Sequence, residues 1–536
     1  MSATTRLADP SAPAPVDARP RLVVPRWLAA AGWAVLLGTL AVLLVTYWDG
    51  PPYSPDSWAY YEQSRHVGRD FLRINSWHSY QTTEPYVMGN GPLWPVLFGL
   101  TAAVTRLGPH AGLVAAVGCV LGTAATLSAL GRRIGVRGLG PVVTVGLLGF
   151  TPYLDEVLAA RTFPLAGLLL GLLLLALLAA ARRPAPAWPL AGAAAGGLVL
   201  TRPGALVVMP LLAALLILTR RRDWRWLLLA GGVFALVLTP WAIYGLAHFG
   251  TPFPADNRIV AAAVPQLYVS DVVDVDQVPT YADDPLGWLA RVVGNVPLMA
   301  LSVVKAGILS PTVVATAGIG LLLLRRWLPV RRAPRWLLLL LVTGAVLVAE
   351  VSIAELSTGY VDRRYLSLVV LLVVLTAVVL LRRTPVPAWL AGPRAGAAAG
   401  AALLVLPAGW ALGYQLATVP ADPDSLGGGA VERELRRCHG DHTMAMRSGT
   451  VMARHTALTG RWTANLPGNF DELSVARRRQ WIATYDIGQL YLPPVPPGSA
   501  ADVVRRSTEP LTLLAAAARV TPDPCATVGR LYRVSL

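Results

Sequence analysis

The chain has 536 residues, of which 54% are hydrophobic and only 14% charged, with a net charge of +16 and a mean hydropathy of +0.53. Soluble domains carry about 25% charged residues, so these figures exclude a soluble multidomain enzyme, a disordered chain and a disulfide scaffold, and indicate a polytopic membrane protein. The positive charge does not indicate nucleic acid, because it lies in short clusters between apolar runs: Arg132-Arg133, Arg182-Arg183, Arg220-Arg221-Arg222, Arg325-Arg326, Arg331-Arg332 and Arg382-Arg383. Arginines in short loops mark the cytoplasmic side of a membrane.

In chain order, residues 1–26 read as a basic cytoplasmic tail and 27–47 as an uncleaved signal anchor, followed by a polar, aromatic outer loop over 48–90. The run 91–106 opens with Gly-Pro, and parity between the outer loop and the basic turn at 132 makes it an interfacial or re-entrant helix, with 110–130 as the crossing. The chain is expected to leave through 139–153, expose 154–161, and return through 162–181. The run 187–219 is too long for one crossing and is basic at both ends. It reads as two short crossings broken at Thr201-Arg202-Pro203, which places Arg202 near the outer face. Crossing 226–244 leads to a second outer loop over 245–305, and 306–324, 336–356, 366–382 and 395–416 complete about eleven crossings.

The expected fold is therefore an all-α polytopic membrane protein: a tail over 1–26, a transmembrane domain over 27–419, and a small extracytoplasmic α/β domain over 420–536. The last begins at a hinge of Gly427, Gly428 and Gly429, with β-type runs at 450–454, 488–492 and 529–535 and helical runs at 470–485 and 509–519. Cys119 falls in an apolar run and reads as packing. Cys438 and Cys525 are the two cysteines of the C-terminal region, and in an oxidising compartment they are expected to pair.

Loop 48–90 holds Asp49, Asp56, Glu62, Asp70 and Glu84 among Trp48, Trp58, Tyr60, Tyr61, Trp77 and Tyr80. Carboxylates beside aromatic rings suit sugar chemistry, since a carboxylate binds hydroxyls or takes a proton from one. The same composition also describes an aromatic belt at headgroup depth. With Ser54 or Asp56 as cap, a helix is predicted at the end of the first crossing, with Asp56 and Tyr60 on one face.

Four stretches resemble the GT-C membrane glycosyltransferases, especially the protein-mannosyltransferase-like and aminoarabinose-transferase-like group. They are Asp56-Ser-Trp-Ala-Tyr60 to Gly68; Gly91-Pro-Leu-Trp-Pro-Val-Leu-Phe-Gly-Leu100 to Leu107-Gly108; Thr201-Arg-Pro-Gly-Ala-Leu206; and Thr239-Pro-Trp-Ala-Ile-Tyr244 with Phe249-Gly-Thr-Pro-Phe-Pro254. A fifth, Arg364-Tyr365-Leu366, enters a late crossing, and the resemblance spans roughly residues 27–382.

This resemblance implies transfer of a sugar from a polyprenyl-phosphate donor to a cell-envelope glycan, lipid or protein, on the outer face of a bacterial plasma membrane and usually with inversion. It makes Asp56 the general base or a metal ligand, with Asp49 as substitute. The family's second acid has no counterpart at Ala160-Arg161-Thr162-Phe163; Asp155 and Glu156 lie slightly earlier. The family asparagine of the fourth stretch is replaced near Tyr244-Gly245. The lipid phosphate calls for arginine or lysine near the outer face, and the candidates are Arg202, Arg258, Lys305 and Arg364. Arg202 and Arg364 fall at recurrent family positions. Trp58, Tyr60 and Trp94 are the candidate sugar or acceptor contacts.

Asp271, Asp274, Asp276, Asp283 and Asp284 form an acidic cluster open to two readings, a divalent-cation site or a solvated acidic loop, and it lacks the glycine pattern of a calcium loop. The other readings are a transporter or flippase of lipid-linked glycans and a non-catalytic cell-wall assembly protein. Against transport, the crossings are nearly free of charge apart from Glu350.

Overall fold

The computed structural model describes residues 27–66, 91–180, 184–202, 224–249, 284–294, 363–383, 392–419, 429–446, 449–466, 470–495 and 509–536, with a few shorter stretches and single residues between them. The expected crossing 306–324, most of 336–356, the second half of 187–219 and most of loop 245–305 lie outside the described residues.

Six described helices are long and apolar enough to cross a membrane: Trp27–Tyr47, His110–Ile134, Phe163–Ala180, Trp224–Ala247, Arg363–Arg382 and Pro393–Thr418. At 1.5 Å per residue, helices of 18 to 26 residues reach roughly 27–39 Å, against a hydrocarbon core of about 30 Å. In chain order the helical part is α1 (Trp27–Tyr47), α2 (Pro55–Arg65), α3 (Leu93–Thr105), α4 (His110–Ile134), α5 (Leu139–Leu148), α6 (Thr151–Leu158), α7 (Phe163–Ala180), α8 (Pro184–Thr201), α9 (Trp224–Phe249), α10 (Pro285–Gly294), α11 (Ser367–Arg383) and α12 (Pro393–Thr418). A 3-10 turn, Arg363–Leu366, leads into α11. Helix α3, with 13 residues, is too short to cross.

The single crossing expected over 139–153 is instead two helices. Phe150 is extended (φ −87°, ψ 99°) and Pro152 sits in the first turn of α6, where its missing N–H costs nothing but from which it cannot continue α5. Every residue of α5 is buried, between α1, α4, α11 and α12. In α6 all residues but Asp155 are buried, so 154–161 is not an exposed outer loop but a plug at the end of the bundle.

The two ends of the bundle differ in chemistry. At one end Arg382 Nη2 donates to the Arg137 carbonyl at 3.2 Å, which brings two of the basic turns together. At the other end the Tyr47 hydroxyl reaches the carbonyls of Gln415 (3.0 Å) and Val419 (2.6 Å), tying the end of α1 to the end of α12. Gly91, ahead of α3, passes so close to α8 that a Cβ there would lie 1.9 Å from the Leu200 carbonyl oxygen.

The C-terminal part contains α13 (Ala430–Cys438), β4 (Thr443–Met446), α14 (Gly449–Thr459), β5 (Thr463–Asn465), α15 (Val475–Thr484), β6 (Ile487–Leu492), β7 (Arg519–Asp523) and β8 (Arg530–Ser535). Three short strands come from the first loop: β1 (Arg73–Ile74), β2 (Ser76–Trp77) and β3 (Tyr86–Val87). The six-stranded sheet has the order β2-β5-β4-β6-β8-β7. It is parallel from β2 to β6 and antiparallel beyond. Alternate residues of β4 and β6 face opposite layers. Met444, Met446 and Tyr491 pack with Leu435 and Met452, while Ala445, Leu490 and Leu492 pack with Trp481, Ile482 and Leu514. The run 450–454, expected as a strand, is the first part of α14. Its β-type composition yields to packing, with Ala453 and Ala457, one turn apart, both fully buried.

Cys438 and Cys525 are joined, with Cα atoms 5.7 Å apart. Nearby, Glu434 accepts the Tyr491 hydroxyl (3.1 Å) and the backbone N–H groups of Thr527, Val528 and Gly529. Burial alone would raise this carboxyl, but the amides of Val528, Gly529 and Thr527 and the Tyr491 phenol hold it below the usual range. A buried row also runs from Glu432 through His455 (2.9 Å) to His439 (2.8 Å). Burial, and then the neighbouring His455, push His439 down to about 4.

His439 therefore stays neutral in the fold, while the unfolded imidazole titrates near 6.5. Below that pH the unfolded state binds more protons, so stability must fall as pH drops from 6.5 towards 4. Glu434 acts in the same direction, because its depressed carboxyl loses its contribution on further acidification. Hydrogen exchange corrected for intrinsic rate should show β4 and β6 less protected at pH 5 than at pH 7.5. Equal protection would mean that His439 is not held neutral.

Candidate active site

Helix α2 is specified locally. The Ser54 hydroxyl accepts the Ser57 N–H (3.4 Å) and the Ser57 hydroxyl accepts the Ser54 N–H (3.0 Å), a reciprocal cap, and Pro55 occupies the first helical position. Asp56 lies in the first turn and Arg65 in the last, both in the favourable sense for the helix dipole. The helix rests on α3 through an aromatic chain: Trp58 with Tyr61 (6.0 Å between centroids) and Tyr61 with Phe98 (5.6 Å).

The Asp56 carboxylate, 38% exposed, meets Arg364 at 3.3 Å. The same Arg364 Nη1 lies 3.7 Å from Glu156 on α6, whose side chain is only 2% exposed. Glu156 is paired more closely with Arg161, at 2.8 Å. Burial raises the Glu156 carboxyl above its usual range, and Arg161 and then Arg364 only partly offset this. Arg364 projects from the 3-10 turn, where the Ser367 hydroxyl donates to its carbonyl at 2.5 Å.

Arg161 is placed by an unusual turn. Ala160 adopts a left-handed backbone (φ 51°), which costs an alanine about 1–2 kcal/mol. The Trp94 indole N–H donates to its carbonyl at 2.8 Å. Gly112 leaves room for it, since a Cβ there would approach Ala160 Cβ to 3.0 Å and the Phe98 ring to 2.5 Å.

Arg202 follows α8 directly. Its guanidinium lies 4.0 Å from the Phe163 ring centroid and 4.7 Å from that of Tyr365. Tyr365 also lies 5.5 Å from Arg364. Among the described residues no carboxylate lies within ion-pair distance of Arg202. Among the described residues the cluster thus sets Arg161, Arg202 and Arg364 against Asp56 and Glu156. Tyr60 adjoins it. Burial, followed by Asp56 and Glu156, holds its phenol well above 10, so it remains a neutral donor.

Of the residues singled out from sequence, Asp56, Glu156, Arg202 and Arg364 come together. Asp155, on the next position of α6, is half-buried, and it is Glu156 that meets the arginines. Asp49 is exposed and outside the cluster. Trp58, Tyr60 and Trp94 are enclosed, at 0%, 2% and 0% exposure. They offer no open ring face to a sugar; Trp58 packs α2 and Trp94 braces Ala160. Arg258, Lys305, Asp271, Asp274, Asp276 and Asp283 lie outside the described residues. Asp284 accepts the Gly287 N–H (2.9 Å) at the start of α10. Among the described residues no group of three or more His, Cys, Asp or Glu side chains could hold a metal. Sequence reasoning missed Arg161, Phe163 and Tyr365, although Arg161 is the last charge before α7 and Tyr365 stands in a motif already noted.

Removing the central carboxylate should be costly. Glu156→Leu leaves Arg161 and Arg364 without their shared counter-charge, and a loss of about 3–5 kcal/mol is expected. Thermal unfolding of the purified protein in detergent checks this. An unchanged midpoint would mean that Glu156 does not hold the cluster together.

No protein-family model and no curated protein matches the chain. Solved structures do. ArnT from Cupriavidus metallidurans bound to undecaprenyl phosphate superposes with a TM-score of 0.52 at 15% identity, over 95% of this chain and 98% of that one. The archaeal oligosaccharyltransferase AglB from Archaeoglobus fulgidus, in complex with an inhibitory peptide and a dolichol-phosphate, gives 0.56 at 13% identity, over 87% and 70%. The mycobacterial arabinofuranosyltransferase AftD gives 0.53 at 14% identity, over 96% of this chain and 40% of that one. These similarities, together with the apolar helices, show that the chain shares the fold of these three solved proteins.

Proposed function

We propose that the protein is a membrane glycosyltransferase that takes a sugar from a polyprenyl-phosphate donor and passes it to a hydroxyl of a cell-envelope glycan, lipid or protein. The observation that carries this reading is the convergence of Arg202 and Arg364 on the Tyr365 ring, with Arg364 beside Asp56, at one end of the apolar bundle. Among the described residues Arg202 is held by two aromatic rings instead of a carboxylate, and Arg364, which shares the Tyr365 ring with it, lies 3.3 Å from Asp56. Guanidinium groups at such a place suit a phosphate, whose oxygens match their planar fork.

In this reaction Asp56 accepts the proton of the acceptor hydroxyl, whose oxygen attacks the anomeric carbon. The bond from that carbon to the phosphate oxygen breaks, the phosphate keeps the electron pair, and Arg202 and Arg364 stabilise it. Glu156, buried and doubly paired, acts as the fixed anchor for Arg161 and Arg364, leaving the more exposed Asp56 to meet the acceptor. The basic turns at the opposite end of the bundle support the assignment of that end to the cytoplasm. The chain is then read as crossing a bacterial plasma membrane about eleven times, with its N-terminus inside and residues 420–536 outside.

Purified protein in liposomes, given a panel of labelled polyprenyl-phosphate sugars and a membrane extract as acceptor, should transfer one of them. Asp56→Asn should slow that transfer by about 10²–10⁴-fold while the donor still binds. Transfer by Asp56→Asn at the wild-type rate would remove Asp56 as the base, and failure of every donor with wild type would argue against the reading itself.

A further inference from the structure

The C-terminal part does not merely follow the last membrane helix. Helix α14 packs along α2, the helix that carries Asp56. Its Ala453 and Ala457 are fully buried in the same apolar cluster as Trp58, Ala59 and Tyr60. Two alanines one turn apart present a flat face to which another helix can come close. At the far end of α2, Arg65 Nη1 donates to the Ala457 carbonyl at 2.6 Å. That carbonyl lies in the last turn of α14, where helix geometry leaves carbonyls without partners and a cation is favoured. The loop beyond α2 returns to the same place, because β2 pairs with β5, the strand that follows α14, through Ser76↔Thr463 and Trp77↔Ala464. Helix α14 is itself anchored, on the opposite side by His455 bonded to Glu432 and on its flank by the Thr456 hydroxyl bonded to that of Thr463 (2.5 Å).

We propose that α14 is the seat of the catalytic helix and that Arg65 is a positioning residue acting through Asp56, which makes the C-terminal part a working component of the active site. This rests on the reading of Asp56 as the base. Helix α2 is held on one side by α3 and on another by α14. A side chain stands about 5 Å from a helix axis, so a roll of about 10° moves the Asp56 carboxylate by roughly 1 Å. A misplacement of that size costs up to about a hundredfold in rate. Arg65 touches no reacting atom. It resists the roll by bonding to a helix that is fixed from behind.

Two measurements on the full chain in lipid test this. The first is hydrogen exchange of the α2 amides in wild type, Arg65→Ala and Arg65→Lys. Arg65→Ala should expose α2 to faster exchange, and Arg65→Lys, which keeps a cationic donor, should restore protection. Unchanged exchange in Arg65→Ala overturns the seat, whatever the enzyme's activity. The second is a double-mutant cycle on sugar transfer. Arg65→Ala should lower kcat by about tenfold with the donor KM unchanged, and have no further effect in an Asp56→Asn background. Equal losses in both backgrounds would show that Arg65 contributes only to general stability. Altered exchange in a protein that transfers no sugar would leave the seat standing and count against the proposed reaction instead.

Discussion

The structure turns on one electrostatic constraint, the meeting of Asp56, Glu156, Arg161, Arg202 and Arg364 at one end of an apolar helical bundle. Carboxylates and guanidinium groups cannot be left alone in such surroundings, because each loses solvation worth several kcal/mol. Arg364 answers this for two acids at once, reaching Asp56 and Glu156 with the same nitrogen, and Arg161 closes on Glu156 from the other side. Arg202 is accommodated differently, against the rings of Phe163 and Tyr365, where a cation is attracted without being neutralised. Among the described residues the result is a cluster of three guanidinium groups and two carboxylates, an arrangement that suits the proposed lipid phosphate.

The backbone features around the cluster follow from that requirement. Glu156 could not reach inwards if 139–158 were one straight helix, and the break at Gly149-Phe150 before Pro152 gives α6 its own direction. Arg161 could not turn back onto Glu156 without the left-handed Ala160, which persists because Trp94 bonds to its carbonyl and Gly112 yields space. A residue that reads as a sugar platform in a motif is thus a brace one step behind the charges.

The apolar runs were legible because hydrophobic length is a strong signal, and α2 was legible because its cap, proline and acid all lie within three residues. Asp56 and Arg364 could be named as candidates from motif position, but their meeting could not, since they are 308 residues apart. Periodicity also failed where two breaks fall close together: 139–153 looks like a crossing because Gly149 and Pro152 are both tolerated in membrane helices. The run 450–454 misled for another reason. Its β-type composition says nothing of the α2 surface against which α14 is buried, and β2, two residues long, has no signal beyond the partner strand that receives it. At 13–15% identity to the solved structures, what the comparison shows is a shared arrangement of helices.

The central claim is that Arg202 and Arg364 form a lipid-phosphate site. The most direct measurement is native mass spectrometry of the purified protein with undecaprenyl phosphate and with the neutral alcohol undecaprenol. Wild type should retain one phosphate lipid in clear preference to the alcohol. Arg202→Gln and Arg364→Gln should each weaken the phosphate lipid by about tenfold or more, as expected for a lost charge-assisted hydrogen bond, with no effect on the alcohol. Equal retention of the two lipids by wild type, or unchanged phosphate binding in both variants, would contradict the account.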